Sequence, residues 1–150
     1  MRQFSLRRLF WAGPLATILA IVAVLVYYYI TKAFGENYRI PLTSDATLLH
    51  PMPPAMPLLA VLIVGLLASL FFGLLVRFSS APAIVFLSVA VAALVLSFGG
   101  SLYLPVSALH TKILLAGMNI LAGVILVGGI LLGSQKRVTP SAASSRNLAP

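Results

Sequence analysis

Four long apolar runs separated by polar segments dominate the hydrophobic pattern of the chain. The runs cover residues 9–30, 57–76, 83–103 and 113–132, and none of them contains Asp, Glu, Lys, Arg or His. Each run reaches the roughly 17 to 25 residues that an α-helix needs to cross a bilayer. Barrel strands alternate polar and apolar residues over about 10 positions, whereas these runs are apolar all round. The pattern therefore predicts an all-α polytopic membrane protein, a four-transmembrane-helix bundle.

Composition and charge favour the same class of protein. The 150 residues are 61% hydrophobic and 8% charged, whereas roughly a quarter of the residues in a soluble domain are charged. A net charge of +8 would suggest a nucleic-acid partner in a soluble chain, but here the basic residues flank the apolar runs and form no patch. We therefore expect the lipid bilayer as partner and no nucleic acid. The absence of cysteine excludes disulfides and thiolate metal sites.

The segments outside the runs divide the chain into two parts. Residues 1–133 form the predicted transmembrane domain. Residues 134–150 are rich in Ser, Ala and Pro without an apolar period, so we expect a disordered cytoplasmic tail. Residues 31–56 form the only long connection, and the prolines within it exclude a continuous helix. We expect this connection to be the principal extramembrane surface.

The distribution of Lys and Arg in the short segments predicts the orientation of the chain. With the N-terminus inside, the inner side holds Arg2, Arg7, Arg8, Arg77, Lys136, Arg137 and Arg146, and the outer side holds Lys32, Arg39 and Lys112. Because positive residues favour the inner side, this distribution predicts that both termini are cytoplasmic.

Small residues recur at four-residue spacing in every predicted span. Lipid offers no hydrophobic drive between helices, so such residues favour association through close backbone approach. The candidate helix-packing residues are Gly65, Ser69 and Gly73 in the second span, Ala93 and Ser97 in the third, and Gly129 and Gly133 in the fourth. The first span carries Ala12, Ala16 and Ala20 at the same spacing. These residues predict packing within the bundle or, alternatively, dimerisation.

Asn119 is the one strongly polar side chain in the middle of a predicted span. At about 100° per residue it shares an arc with Ala116, Ala122, Gly123 and Gly133, so it should face protein. A buried amide needs partners, and we interpret Asn119 as an interhelical hydrogen-bonding residue worth about 1 kcal/mol. The alternative is that Asn119 lines a path for a substrate or an ion.

The inventory of reactive side chains argues against catalysis. Glu36 and Asp45 are the only carboxylates, both in the long connection, and no span holds a carboxylate pair, a histidine cluster or a nucleophile beside a base. His50, Met52 and Met56 are side chains that copper accepts, but the prolines among them favour a Pro-rich turn. We therefore expect no enzyme activity, no cofactor and no metal.

Three short motifs resemble one known pattern: residues 7–15 (RRLFWAGPL), 94–98 (LVLSF) and 115–119 (LAGMN). The pattern is that of an uncharacterised family of small bacterial four-helix membrane proteins. The resemblance implies four spans and a bacterial cell-membrane location, and it carries no established activity. Small multidrug exporters have a similar length but depend on a membrane-embedded Glu in the first helix, which residues 9–30 lack.

These observations favour, by exclusion, a multi-pass membrane protein that is a non-catalytic accessory or interaction subunit. Its expected partner is another membrane protein or a second copy of the chain. The alternative is an oligomeric small-solute transporter or channel with Asn119 near the path.

Overall fold

Four long helices make up most of the computed structural model, which describes residues 4–41, 49–102 and 109–135. The helices are α1 (Leu6–Ala33), α2 (Ala55–Phe78), α3 (Pro82–Leu102) and α4 (Leu109–Ser134). All four are long and apolar enough to cross a membrane. The prediction of an all-α four-helix bundle is confirmed, and by these helices the chain is a multi-pass membrane protein.

Three of the helices are longer than the apolar runs that predicted them, because α1, α2 and α4 continue into flanking polar residues. Arg8, Lys32 and Lys112 all lie within helices. Long basic side chains keep their stems on the helix while the charged group reaches toward water, so charge near a bilayer boundary need not end a helix. Tyr103, the last residue of the third predicted span, lies outside the described residues.

Helix α1 is central to the bundle. It packs antiparallel against α4 on one face and antiparallel against α2 on another, and these are the two most extensive helix contacts. Helix α3 packs mainly on α4 and makes a smaller contact with α2. As a result, α3 is the least buried of the four helices.

The two ends of the bundle differ in structure. At the end that holds Phe4 and Gln135, here the terminal end, these two residues form an isolated β-bridge. Ser5 N–H donates to the Ser134 carbonyl at 3.1 Å, and Arg8 Nη1 donates to the Gln135 carbonyl at 2.8 Å. Of the predicted tail, Ser134 thus belongs to α4 and Gln135 to this bridge, and residues 136–150 lie outside the described residues.

The opposite end, here the loop end, carries a short hairpin. Strand β1 (Arg39–Pro41) pairs antiparallel with β2 (Leu49–Pro51), and Ile40 lies opposite His50. Residues 42–48, with Asp45 among them, lie outside the described residues. The long connection is therefore partly ordered on the end of the bundle, which the sequence pattern did not predict.

Gly35 turns the chain from α1 into this hairpin. Its φ is +92°, a left-handed backbone conformation that residues with a side chain rarely adopt. Gly35 N–H donates to the Lys32 carbonyl and Glu36 N–H donates to the Thr31 carbonyl, both at 3.1 Å. This is a Schellman helix end, which satisfies the last carbonyls of α1. The turn directs the next residue, Glu36, back toward α4.

Candidate functional site

A buried carboxylate joins α1 to α4 at the loop end. Glu36 is only 9% exposed, and its Oε1 accepts a hydrogen bond of 2.6 Å from the Thr111 hydroxyl. Its Oε2 lies 2.8 Å from Nε2 of His110, whose side chain is 69% exposed. Both carboxylate oxygens are therefore engaged by the first turn of α4. This contact spans 75 residues of sequence, and the sequence analysis, which placed Glu36 only in the long connection, did not predict it.

A tyrosine network fixes the hairpin beside this carboxylate. The Tyr28 and Tyr38 rings stack with centroids 5.3 Å apart and an interplanar angle of 19°. The Tyr28 hydroxyl donates to the Met52 carbonyl at 2.8 Å, while Met52 N–H donates to the Tyr38 carbonyl at 2.7 Å. The Tyr38 and Thr31 hydroxyls share a hydrogen bond of 2.6 Å. Burial raises the pKa of the Tyr38 phenol above 10.0, and the hydrogen bond to Thr31 partly opposes this increase.

The residues considered for copper binding belong to this structural network or lie at its surface. Met52 is buried and held through its backbone, whereas His50 and Met56 are exposed. Among the described residues, no group of three or more His, Cys, Asp or Glu side chains could hold a metal ion.

Glycine and hydroxyl residues interlock α1 with α2. A Cβ on Gly65 would lie 2.7 Å from Thr17 Cγ2, and a Cβ on Gly13 would lie 2.9 Å from Ser69 Cβ. Both hydroxyls donate to the carbonyl four residues earlier in their own helix, Thr17 to Gly13 at 2.9 Å and Ser69 to Gly65 at 2.8 Å. The hydroxyls are therefore satisfied within each helix, and the contact between the helices is close van der Waals packing.

A second seam of small residues joins α1 to α4. A Cβ on Gly129 would lie 2.6 Å from Ala16 Cβ, and a Cβ on Gly133 would lie 2.7 Å from Ala12 Cβ. These distances leave no room for larger side chains. Gly73, the remaining candidate on α2, faces Leu9 of α1 with ordinary contact at 3.4 Å.

Asn119 contacts α3. Its Nδ2 donates to the Ser97 hydroxyl at 3.0 Å, and the Asn119 side chain is half-buried. Its neighbours on the predicted arc divide between helices: Gly123 packs on Leu94 of α3, whereas Gly133 faces α1. Asn119 thus lies on the side of α4 that faces α3.

An apolar groove runs between α2, α3 and α4, with a cavity volume of about 340 Å³. Ser97 and Asn119 line it together with the candidate packing residue Ala93, which is exposed. Phe71 and Phe86 line it nearer the terminal end, with ring centroids 6.4 Å apart. The groove therefore has one polar pair of side chains toward the loop end and two aromatic rings toward the terminal end.

The outer face of α3 carries small residues that the sequence reading did not select. Phe86 is buried, Ala90 and Leu94 are half-buried, and these three residues share one face of the helix. At about 100° per residue, Ser88, Ala92 and Gly99 lie on the opposite face. Ser88 and Ala92 are exposed, and no described residue outside α3 has an atom within 4 Å of a Cβ placed on Gly99.

Searches of curated proteins and of solved structures find no match to the chain. A family model matches residues 4–135, a range that covers all four helices and the hairpin. The resemblance predicted from the sequence motifs is confirmed. The chain belongs to a family of unknown function, DUF6069.

Proposed function

We propose that this protein is a non-catalytic accessory or interaction subunit that binds another membrane protein through the outer face of α3. The supporting observation is the seam of Ser88, Ala92 and Gly99, in which Ser88 and Ala92 are exposed and a Cβ on Gly99 would meet no described residue outside α3. Small residues at this spacing let the backbones of two membrane helices approach closely, as they do where Gly65 meets Thr17. The seams on α1, α2 and α4 are occupied inside the bundle, so the α3 seam is available to a helix of another chain.

The polar chemistry of the loop end supports a structural role more than a reactive one. Glu36, one of two carboxylates in the chain, bonds Thr111 and His110, and these bonds attach the connection to α4. The Tyr28 hydroxyl bonds a backbone oxygen, and the Tyr38 hydroxyl bonds the threonine oxygen of Thr31. The hairpin held by these bonds is a second surface that a partner protein would contact.

A transporter or channel with Asn119 near the path is the second candidate. Asn119 lines a groove in the membrane region, which favours this alternative. The remainder of the groove wall is almost entirely apolar and ends at Phe71 and Phe86. A solute path would therefore require further polar surface from other copies in an oligomer. Flux of a solute into liposomes that contain the purified protein would support this candidate.

The test of the interaction proposal is co-purification with a matched pair of variants. Ala92→Leu places bulk in the exposed seam, whereas Val22→Phe places bulk on the exposed side of α1. We expect one membrane protein to co-purify stoichiometrically with the wild type and with Val22→Phe, and to be lost with Ala92→Leu. A partner retained equally by both variants would contradict the α3 interface. If the co-purifying chain is a tagged second copy, the protein is a homo-oligomer and the accessory role is wrong.

For localisation, we propose the bacterial inner membrane with both termini in the cytoplasm. The support is the excess of Lys and Arg on one side of the predicted spans. A cysteine introduced at Ser144, in the sequence beyond the described residues, tests the orientation because the chain has no cysteine of its own. We expect a membrane-impermeant thiol reagent to label this cysteine only after the cells are opened. Labelling in intact cells would reverse the assignment.

A further inference from the structure

We propose that the groove between α2, α3 and α4 binds a neutral single-chain amphiphile: one unbranched hydrocarbon chain with an uncharged oxygen-bearing group, such as an alcohol, at Asn119 and Ser97. The groove-lining residues of α3 and the Ser88, Ala92 and Gly99 seam lie on different faces of that helix. The proposal therefore does not depend on the proposed interaction with a partner protein.

The dimensions of the groove fit a single hydrocarbon chain. Its lining on α2 extends from Ala60 to Phe71, and the eleven steps between these residues span about 16 Å along a helix. Spread over that length, about 340 Å³ gives a mean width of about 5 Å. Carbon atoms contact one another at about 3.5 to 4.0 Å, so one extended chain fits this width. An α-helix, about 10 to 12 Å thick, does not.

The groove opens toward the bilayer. Residues at its rim are exposed, while those at its floor are buried. The rim is formed by Ala60, Val64, Val89 and Ala93, and the floor by Val61, Phe86, Ala122 and Leu126. A molecule dissolved in the membrane can therefore enter sideways between α2 and α3 without unpacking the bundle.

The position of the polar pair selects the head group. Asn119 lies six residues beyond Ile113, where the apolar run of α4 begins, or about 9 Å along the helix axis. A charged group at such depth is costly, and none of the described residues that line the groove is ionisable and could pair with it. Asn119 and Ser97 supply the polar side-chain atoms among the described residues that line the groove, and an amide both donates and accepts hydrogen bonds, so an uncharged oxygen group suits this position. Phe71 and Phe86 then limit the hydrocarbon tail.

The expected tail length follows from this geometry. An extended chain advances by about 1.2 Å per bond, as in the fully extended backbone, so a path of about 16 Å holds roughly 13 bonds, or about 14 carbons. The probe is therefore 1-tetradecanol carrying a photoactivatable diazirine, and the matched control is the corresponding tetradecane without the hydroxyl. Both are titrated against the full chain in lipid nanodiscs, and covalent labelling is located by peptide mass spectrometry.

Two substitutions on α3 test the location. Ala93→Phe fills the groove, whereas Val91→Phe adds bulk at an exposed position of α3 that does not line it. We expect saturable labelling of groove residues by tetradecanol in the wild type and in Val91→Phe, and its loss in Ala93→Phe. Val64→Phe fills the groove from α2 and should reproduce the loss if Ala93→Phe fails to fold. Undiminished labelling in a folded groove-filling variant would overturn the proposal.

Asn119→Leu tests the polar contact. The loss of one hydrogen bond between polar groups inside the bilayer lowers the binding affinity roughly five- to tenfold. We expect Asn119→Leu to weaken tetradecanol labelling by about that factor, with tetradecane unchanged. If wild type and variant take up both probes equally, the groove is filled by lipid tails without selection and the amphiphile site is wrong.

Discussion

Thr17 on α1 lies directly against Gly65 on α2, at a distance that leaves no room for a methyl group. A Cβ on Gly65 would come within 2.7 Å of Thr17 Cγ2, and the equivalent contact of Gly13 with Ser69 repeats this arrangement with the two helices exchanged. Each helix thus contributes one glycine and one hydroxyl residue, four positions apart. The reciprocity makes the seam a single unit, so we expect changes on opposite sides of it to be energetically coupled.

The first prediction concerns this coupling. Gly65→Ala should lower the free energy of unfolding by about 1 to 3 kcal/mol, because the added methyl overlaps Thr17 and the helices must separate. Thr17→Ala removes the overlapping atoms, so the double variant should lose less stability than the sum of the two single variants. The measurement is a double-variant cycle of thermal unfolding in detergent. Additive losses would mean that Thr17 and Gly65 do not pack as described.

The second prediction contrasts two adjacent glycines of α4. Gly129 packs against Ala16, whereas no described residue outside the local helix has an atom within 4 Å of a Cβ on Gly128. Gly129→Ala should destabilise the protein by about 1 to 3 kcal/mol through overpacking. Gly128→Ala should leave stability unchanged or raise it by up to about 1 kcal/mol, the difference in helix propensity between glycine and alanine. Thermal unfolding of the pair checks this, and equal effects would argue against the α1–α4 seam.

Apolar length was enough to predict the four helices, because crossing a bilayer sets a physical minimum that the runs satisfy independently of one another. The four-residue spacing of Gly65 and Ser69 likewise marks a seam within one helix. The helix that packs into this seam is determined by which helices are neighbours in the bundle. Spacing alone therefore did not identify Thr17 as the partner of Gly65, and it did not show that Ala93 would line a groove.

The loop end was harder to predict for a different reason. Glu36 and Thr111 are separated by 75 residues, and the turn at Gly35 that brings them together depends on one positive φ. The periodic spacing of apolar or small residues in a sequence does not predict such a contact. The ends of the helices also differ from the ends of the apolar runs. Helix α1 carries Lys32 within its last turn, whereas the apolar run stops before this charged residue.

The third prediction concerns the carboxylate at the loop end. Thr111→Val removes the hydroxyl that donates to Glu36, so the buried carboxylate loses a partner. Hydrogen bonds to charged groups contribute about 1.5 to 3 kcal/mol, and we expect a loss of stability of that order. Asn37→Ala, at the exposed neighbouring position, is the control and should have little effect. In a Glu36→Ala background the Thr111→Val effect should shrink, and an undiminished effect would show that the two residues act separately.

The fourth prediction is a dependence of stability on alkaline pH. Burial raises the pKa of the Tyr38 phenol above 10.0 in the folded protein, and this increase exceeds the opposing contribution of the hydrogen bond to Thr31. As the pH rises past the ordinary pKa of tyrosine, the Tyr38 phenol therefore loses its proton in the unfolded chain before it does so in the folded protein. The contribution of Tyr38 to stability is complete below about pH 10 and decreases as the pH rises toward the folded pKa.

Tyr38→Phe removes this titrating group while it keeps the ring that stacks on Tyr28. Its stability should be lower than that of the wild type at about pH 8, because the hydrogen bond to Thr31 is lost, by about 1 kcal/mol. Between about pH 9 and pH 11, however, its unfolding temperature should fall less than that of the wild type. Tyr29→Phe, at a position where the ring is exposed, is the matched control and should follow the wild type. If all three proteins lose stability in parallel over this range, Tyr38 is not the group whose proton the folded loop end retains.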